Sequence, residues 1–186
     1  MGKDRGIVKK IVVLALFIVC ITSCSRPDIQ ACNMTYGKVL NNKLELYIDD
    51  RYPDAALDAL INATNTWNTE IGYELIQLKG FIGESNKAFD GINILYYMQL
   101  TSGLNGRTTI KYKARDIYET DISINSDFIE NDGDIESVLV HELGHAIGLL
   151  HNDNDTNSVM YKALGKNEMK RELTQADKDT VQCLYK

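Results

Sequence analysis

The stretch His141-Glu142-Leu143-Gly144-His145-Ala146-Ile147-Gly148-Leu149-Leu150-His151 (HELGHAIGLLH) holds all three histidines of a 186-residue chain. Residues four apart stack on one face of an α-helix, so His141 and His145 can reach a single ion. Imidazole nitrogen is a good zinc ligand at about 2.0–2.1 Å. A straight helix cannot easily present a third ligand ten positions after the first. It must end and turn back, and Gly148 can take the positive φ that such a turn needs. His151 then arrives from outside the helix. Three neutral ligands leave the fourth tetrahedral position for water, the pattern of a catalytic site. Glu142 neighbours the first ligand and is placed to take that water's proton. Closed structural zinc sites usually use four protein ligands, often cysteines, and no cysteine lies near this stretch. From Ile135 to Leu150 the chain is apolar on most sides of a helix, which places it in a core. A carboxylate and two imidazoles there are costly unless a metal and water satisfy them.

HExxHxxGxxH followed by a methionine turn resembles the metzincin signature, with Met160 in Ser158–Tyr161 (SVMY) as the turn methionine. Within that clan the chain is most similar to the matrixins, the matrix-metalloproteinase-like zinc peptidases, here as a bacterial lipoprotein. Asp90–Tyr97 (DGINILYY) looks like their third strand, and Leu173–Tyr185 (LTQADKDTVQCLY) like their C-terminal helix. The resemblance runs from about Lys43 to the C-terminus. It implies an α/β (α+β) layered fold: a twisted, mostly parallel five-stranded sheet with one antiparallel edge strand beside the cleft, an active-site helix and a C-terminal helix. By position the edge strand is Thr108–Lys113. The resemblance also implies that Met160 lies beneath the metal as an apolar floor and that Tyr161 lines the cleft. Animal matrixins carry a second, structural zinc bound by further histidines. None remains in this chain, so one catalytic zinc is expected. Lys162 stands where many matrixins have proline, which leaves the pocket's size and depth open. Calcium could sit in Asn152–Asn157 (NDNDTN) or Glu130–Asp134, but neither matches EF-hand spacing, and acidic loops are usually only solvated.

The N-terminus reads as an export signal. Lys3, Arg5, Lys9 and Lys10 precede an apolar run from Ile11 to Ile21, too short for the roughly twenty residues of a membrane-spanning helix. The run ends in Ile21-Thr22-Ser23-Cys24, which resembles a bacterial lipobox with Cys24 as the lipidated residue. Residues 1–23 would then be removed, 24–42 would tether, and 43–186 would form the metalloprotease catalytic domain. More than one acyl chain on Cys24 would hold the protein on a membrane, at the outer membrane or cell surface. The signal takes four basic residues and only Asp4 with it, so the mature chain is more acidic than the net −6 of the whole sequence. That argues against nucleic acid and mildly favours neutral or basic substrates. Cys32 and Cys183 remain, and in an exported protein they are candidates for one disulfide. The alternatives are two unpaired thiols, or Cys32 acting as a latency ligand on the zinc.

Along the chain, Lys43–Asp49 alternates as a strand and Pro53–Thr69 has helical spacing through Leu57, Leu60, Ile61, Thr64 and Trp67. Tyr73–Lys79, Ile92–Tyr97, Thr108–Lys113 and Thr120–Asn125 read as further strands. Asp134 is a candidate N-cap for the histidine helix, and Thr174 with Asp177 a capping box for the last one. The functional expectation is a monomeric zinc endopeptidase acting on peptide or protein substrates, either broadly or as a narrow processing enzyme. A rival from another class is a non-catalytic surface lipoprotein, an adhesin or binding module keeping zinc as scaffold. Glu142 argues against it, because a structural site does not need that carboxylate.

Overall fold

The computed structural model describes residues 34–83, 90–101, 103–130, 134–164 and 168–186. The signal segment, Cys24 and Cys32 lie outside these residues. Six strands form one sheet: β1 Lys38–Val39, β2 Leu44–Asp49, β3 Ile76–Ile82, β4 Asn93–Met98, β5 Gly106–Lys113 and β6 Asp116–Asn125. Among the described residues four α-helices accompany it: α1 Leu57–Ile71, α2 Ser126–Glu130, α3 Ile135–Ala146 and α4 Gln175–Tyr185. The main strands lie in the order β3-β2-β4-β6-β5. All neighbours are parallel except β5, which runs antiparallel to β6 at the edge. This is the architecture the metzincin resemblance implied, with the two-residue β1 added along the start of β6.

The core follows from the sequence periods. Leu44, Leu46 and Ile48 alternate inward along β2, while Leu60, Ala63, Thr64, Trp67 and Ile71 recur at helical spacing on the buried face of α1. Trp67 is fully buried, and its indole N–H donates to the carbonyl of Val140 at 2.9 Å. One hydrogen bond thus satisfies the only polar atom of that ring and fixes α1 against α3. Gly72 closes α1 in the left-handed conformation. Asn68 then bonds both backbone groups of Ile76, so β3 starts at Ile76 and not at Tyr73.

Other boundaries also differ from the sequence reading. β6 begins at Asp116, because Ala114 and Arg115 take positive φ in a tight turn and pair it with β5. Helix α3 stops at Ala146 and does not run to Leu150. Asp134 occupies the N-cap position of α3, yet its side chain makes no capping bond. Its carboxylate is taken by the Ser137 hydroxyl and the Arg171 guanidinium. Thr174 and Asp177 do form the reciprocal capping box of α4.

Within the stretch read as tether, residues from Met34 onward pack on the domain. The Leu150 N–H donates to Met34, Thr35 bridges Leu149, and the Tyr36 N–H donates to Gly148 at 2.8 Å. Val39 is buried, and its N–H donates to the Tyr185 hydroxyl, which itself donates to Ile147. Among the described residues no helix is long and apolar enough to cross a membrane.

Candidate metal centre

α3 carries His141 and His145 one turn apart, as the 3.6-residue period requires. Gly148 then turns the chain with φ of 106°. Positive φ is only half of its reason to be glycine. A Cβ there would collide with the carbonyl oxygen of Gly37, and one on Gly37 would collide with that of Arg115. The backbone therefore passes close enough to bring His151 back toward the helix. One nitrogen from each of the three imidazoles lies within 4.8 Å of the others.

The imidazole orientations are set by backbone carbonyls. Nδ1 of His141 donates to Val159 at 2.7 Å and Nδ1 of His145 donates to Leu149 at 2.8 Å. Both rings therefore keep the proton on Nδ1 and turn an Nε2 lone pair inward. The two Nε2 atoms face each other at 3.1 Å. Burial opposes protonation of both rings, and His145 is pushed down to about 3 with His141 adding to the effect. Two neutral lone pairs at that distance repel, and a cation between them removes the repulsion. Three convergent imidazole nitrogens suit zinc, so the donor set fits that ion.

Glu142 is buried beside this cluster without belonging to it. Its Oε2 accepts from the Thr108 hydroxyl of β5 at 2.6 Å. Burial pushes its pKa up to about 7, against the lowering effect of that hydrogen bond. Gly106, at the start of β5, leaves the space for it, since a Cβ there would stand 2.6 Å from Oε1. Met160 is buried against Gly144 of α3, whose hypothetical Cβ would strike the Met160 sulfur. The methionine turn is held by Asp177, which accepts from the Ser158 hydroxyl and from the Val159 N–H at 3.1 Å. A cavity of about 490 Å³ is lined by the three histidines, Glu142, Thr108 and Gly106, with Tyr161 in its wall.

A family model described as matrixin matches residues 55–186. The chain belongs to the matrixin family. A curated relative of this matrixin, Metalloendoproteinase 2-MMP of Arabidopsis thaliana, is 42% identical over 52 residues, which is 28% of this chain. The match spans only 14% of that relative's length. Among solved structures, the hatching-enzyme zinc protease HCE-1 of Oryzias latipes (medaka fish) aligns with TM-score 0.46 at 14% identity. It covers 82% of this chain and 94% of that one. Archaemetzincin of Methanopyrus kandleri aligns with TM-score 0.48 at 16% identity, covering 76% and 95%.

The structure gathers His141, His145, His151, Glu142 and Tyr161 at one cavity, while Met160 is buried against Gly144 of α3 and is not part of the cavity wall. Cys183 lies apart on α4 and is disulfide-bonded. Thr108, Gly106 and Gly144 escaped the sequence reading. Their roles arise from tertiary apposition, and no local signal marks them. Asp177 was read only as a cap, although its place in a capping box did flag it as a carboxylate bound to backbone.

Proposed function

We propose that this matrixin is a zinc-dependent endopeptidase with Glu142 as general base. The observation that carries the proposal is a buried carboxylate that borders the three-imidazole cluster without being one of its ligands. Bound zinc supplies a Lewis acid that polarises the scissile carbonyl and acidifies water. His141, His145 and His151 would hold it. The Thr108 hydroxyl occupies Glu142 Oε2 and leaves Oε1 to take the proton of the attacking water. The same carboxyl then returns that proton to the leaving amine nitrogen. A pKa near 7 suits both transfers at neutral pH. The outer edge of β5 has no strand partner among the described residues, so an extended peptide has backbone groups to pair with. No side-chain nucleophile is required and no covalent intermediate is expected.

The protein is further proposed to be exported and lipid-anchored through Cys24 on a bacterial membrane, on the strength of its basic, apolar and lipobox-like N-terminus. Loss of lipid labelling in Cys24→Ala is the result that supports the anchor, and absence of label from the wild type refutes it.

The central test is incubation with a diverse peptide library, with and without a zinc chelator. Glu142→Gln should keep fold and metal while losing roughly 10²–10⁴-fold in rate. His145→Ala should lose zinc affinity and activity together. Equal cleavage by wild type and Glu142→Gln would defeat the mechanism. A wild type that binds zinc and cuts nothing would favour the binding-module alternative.

A further inference from the structure

The walls of the cleft do not share the charge of the protein. The sequence carries 26 acidic and 20 basic residues. Yet the cavity over the metal centre is lined by Arg107, Lys162 and Lys170, and by a single carboxylate, Glu142. Arg107 is exposed at the start of β5 and makes no salt bridge to a described residue. Lys162 turns outward to Asp153 at 3.2 Å, with both side chains more than half exposed.

Lys170 is different. Only 7% of its side chain is exposed, an unusual state for a lysine. Its backbone N–H donates to the Ser137 hydroxyl at 2.6 Å, which seats it against the start of α3. Its Nζ donates to the Ala163 carbonyl at 3.1 Å and lies 4.7 Å from the centre of the Tyr161 ring. Among the described residues its counter-ion is Glu168 at 3.3 Å, on a side chain 43% exposed. A solvent-exposed partner of this kind contributes little and is readily exchanged. Lys170 and His141 line the same cavity. A buried, rigidly seated cation in a cleft wall is a site for a carboxylate that arrives with the substrate and takes Glu168's place.

We infer that the cleft selects peptides carrying an acidic side chain beside the scissile bond, and that Lys170 is the residue that selects it. This rests on the endopeptidase reading above. It differs from the expectation, drawn from net charge, that neutral or basic substrates are favoured. The charge of the whole molecule is set by its outer surface, whereas the substrate meets the local field of the cleft.

The test uses the full chain loaded with zinc and pairs of peptides that differ only by Glu against Gln, placed in turn at each position within two residues of the cut. Wild type should prefer Glu at one position by roughly ten- to hundredfold in kcat/KM. Lys170→Met should bring that ratio near one, Lys170→Arg should restore it, and Lys170→Glu should turn the preference toward Lys. A lysine that merely ties its loop together would change stability and leave the ratio intact. Binding of the same peptide pairs to zinc-loaded Glu142→Gln gives a readout independent of turnover. Tighter binding of the Glu peptides, lost in Lys170→Met, without any cleavage by wild type would sink the endopeptidase reading and leave Lys170 only as a carboxylate-binding residue. Cleavage with no acidic preference at any position, or a preference that survives Lys170→Met, would overturn it.

Discussion

Asp177 accepts the backbone N–H of Val159, and the carbonyl of that same Val159 takes the Nδ1 proton of His141 at 2.7 Å. A carboxylate at the head of the last helix therefore holds the carbonyl that fixes the tautomer and tilt of a candidate metal ligand, through one intervening residue. Asp177 is almost wholly buried, and each of its oxygens has a donor.

Asp177→Asn should test this relay. The amide keeps the shape, but its nitrogen cannot accept, so either the Ser158 hydroxyl or the backbone N–H groups of Val159 and Thr174 lose their acceptor. Stability should fall by about 1–3 kcal/mol. Zinc affinity should fall by roughly 10–100-fold, the usual range for losing a group that orients a ligand. Thermal melting and competition with a chromogenic chelator read the two effects separately. An unchanged zinc affinity in a folded Asp177→Asn would break the proposed link.

Gly106→Ala should act on the base. The added methyl meets Glu142 Oε1 at 2.6 Å, so the carboxylate must swing away from its place beside the histidines. Gly106 has no positive φ, so the backbone itself tolerates alanine. Zinc content should stay at one per chain, while kcat should drop by on the order of 10²-fold or more. Elemental analysis and steady-state kinetics on the same sample decide the matter; full activity would show that the carboxylate does not need that space.

Asp134 should make stability pH-dependent. Burial works against its ionisation, but the Arg171 guanidinium and the Ser137 hydroxyl outweigh this and hold its pKa below the ordinary value. The proton is thus bound less tightly in the folded than in the unfolded chain. The resulting stability is fully present above the unfolded pKa of about 3.9 and disappears as pH falls through the lower folded value. Arg171 is 43% exposed, so the contribution is small, under about 1 kcal/mol. Melting curves of wild type and Asp134→Asn should differ at pH 7 and converge near pH 2.

The disulfide at Cys183 should join Cys32, since Cys20 is expected to leave with the signal and Cys24 to carry lipid. A peptide map of the unreduced mature protein should recover that pair. A map linking Cys183 to Cys24 instead would remove the lipid-anchor reading at the same stroke.

Much of the site was readable because its chemistry is carried by one short segment. Spacing alone aligned His141 with His145, and Gly148 announced where the chain had to turn back. The edge strand was legible too, from the alternation of Thr108–Lys113. What stayed hidden was made by contacts between distant segments. Nothing local in Thr108 or Gly106 says that β5 will lie against Glu142. Residues 34–37 look like polar linker because they dock through backbone groups, which any sequence possesses. The helix was read too long because Leu149 and Leu150 continue the apolar pattern, although the chain has already left helical geometry at Ile147. Lys170 was invisible as a site residue because a lysine's default place is the surface.

The stacking of Gly148 on Gly37, and of Gly37 on Arg115, has a genetic consequence. When a new methyl meets a side chain, a second substitution can trim that neighbour and restore the fit. Here the opposing atoms are main-chain carbonyl oxygens, which every residue carries. No second-site suppressor can make room for a side chain at position 37 or 148. The route of the polypeptide, with two distant stretches running in touch, is what forbids it.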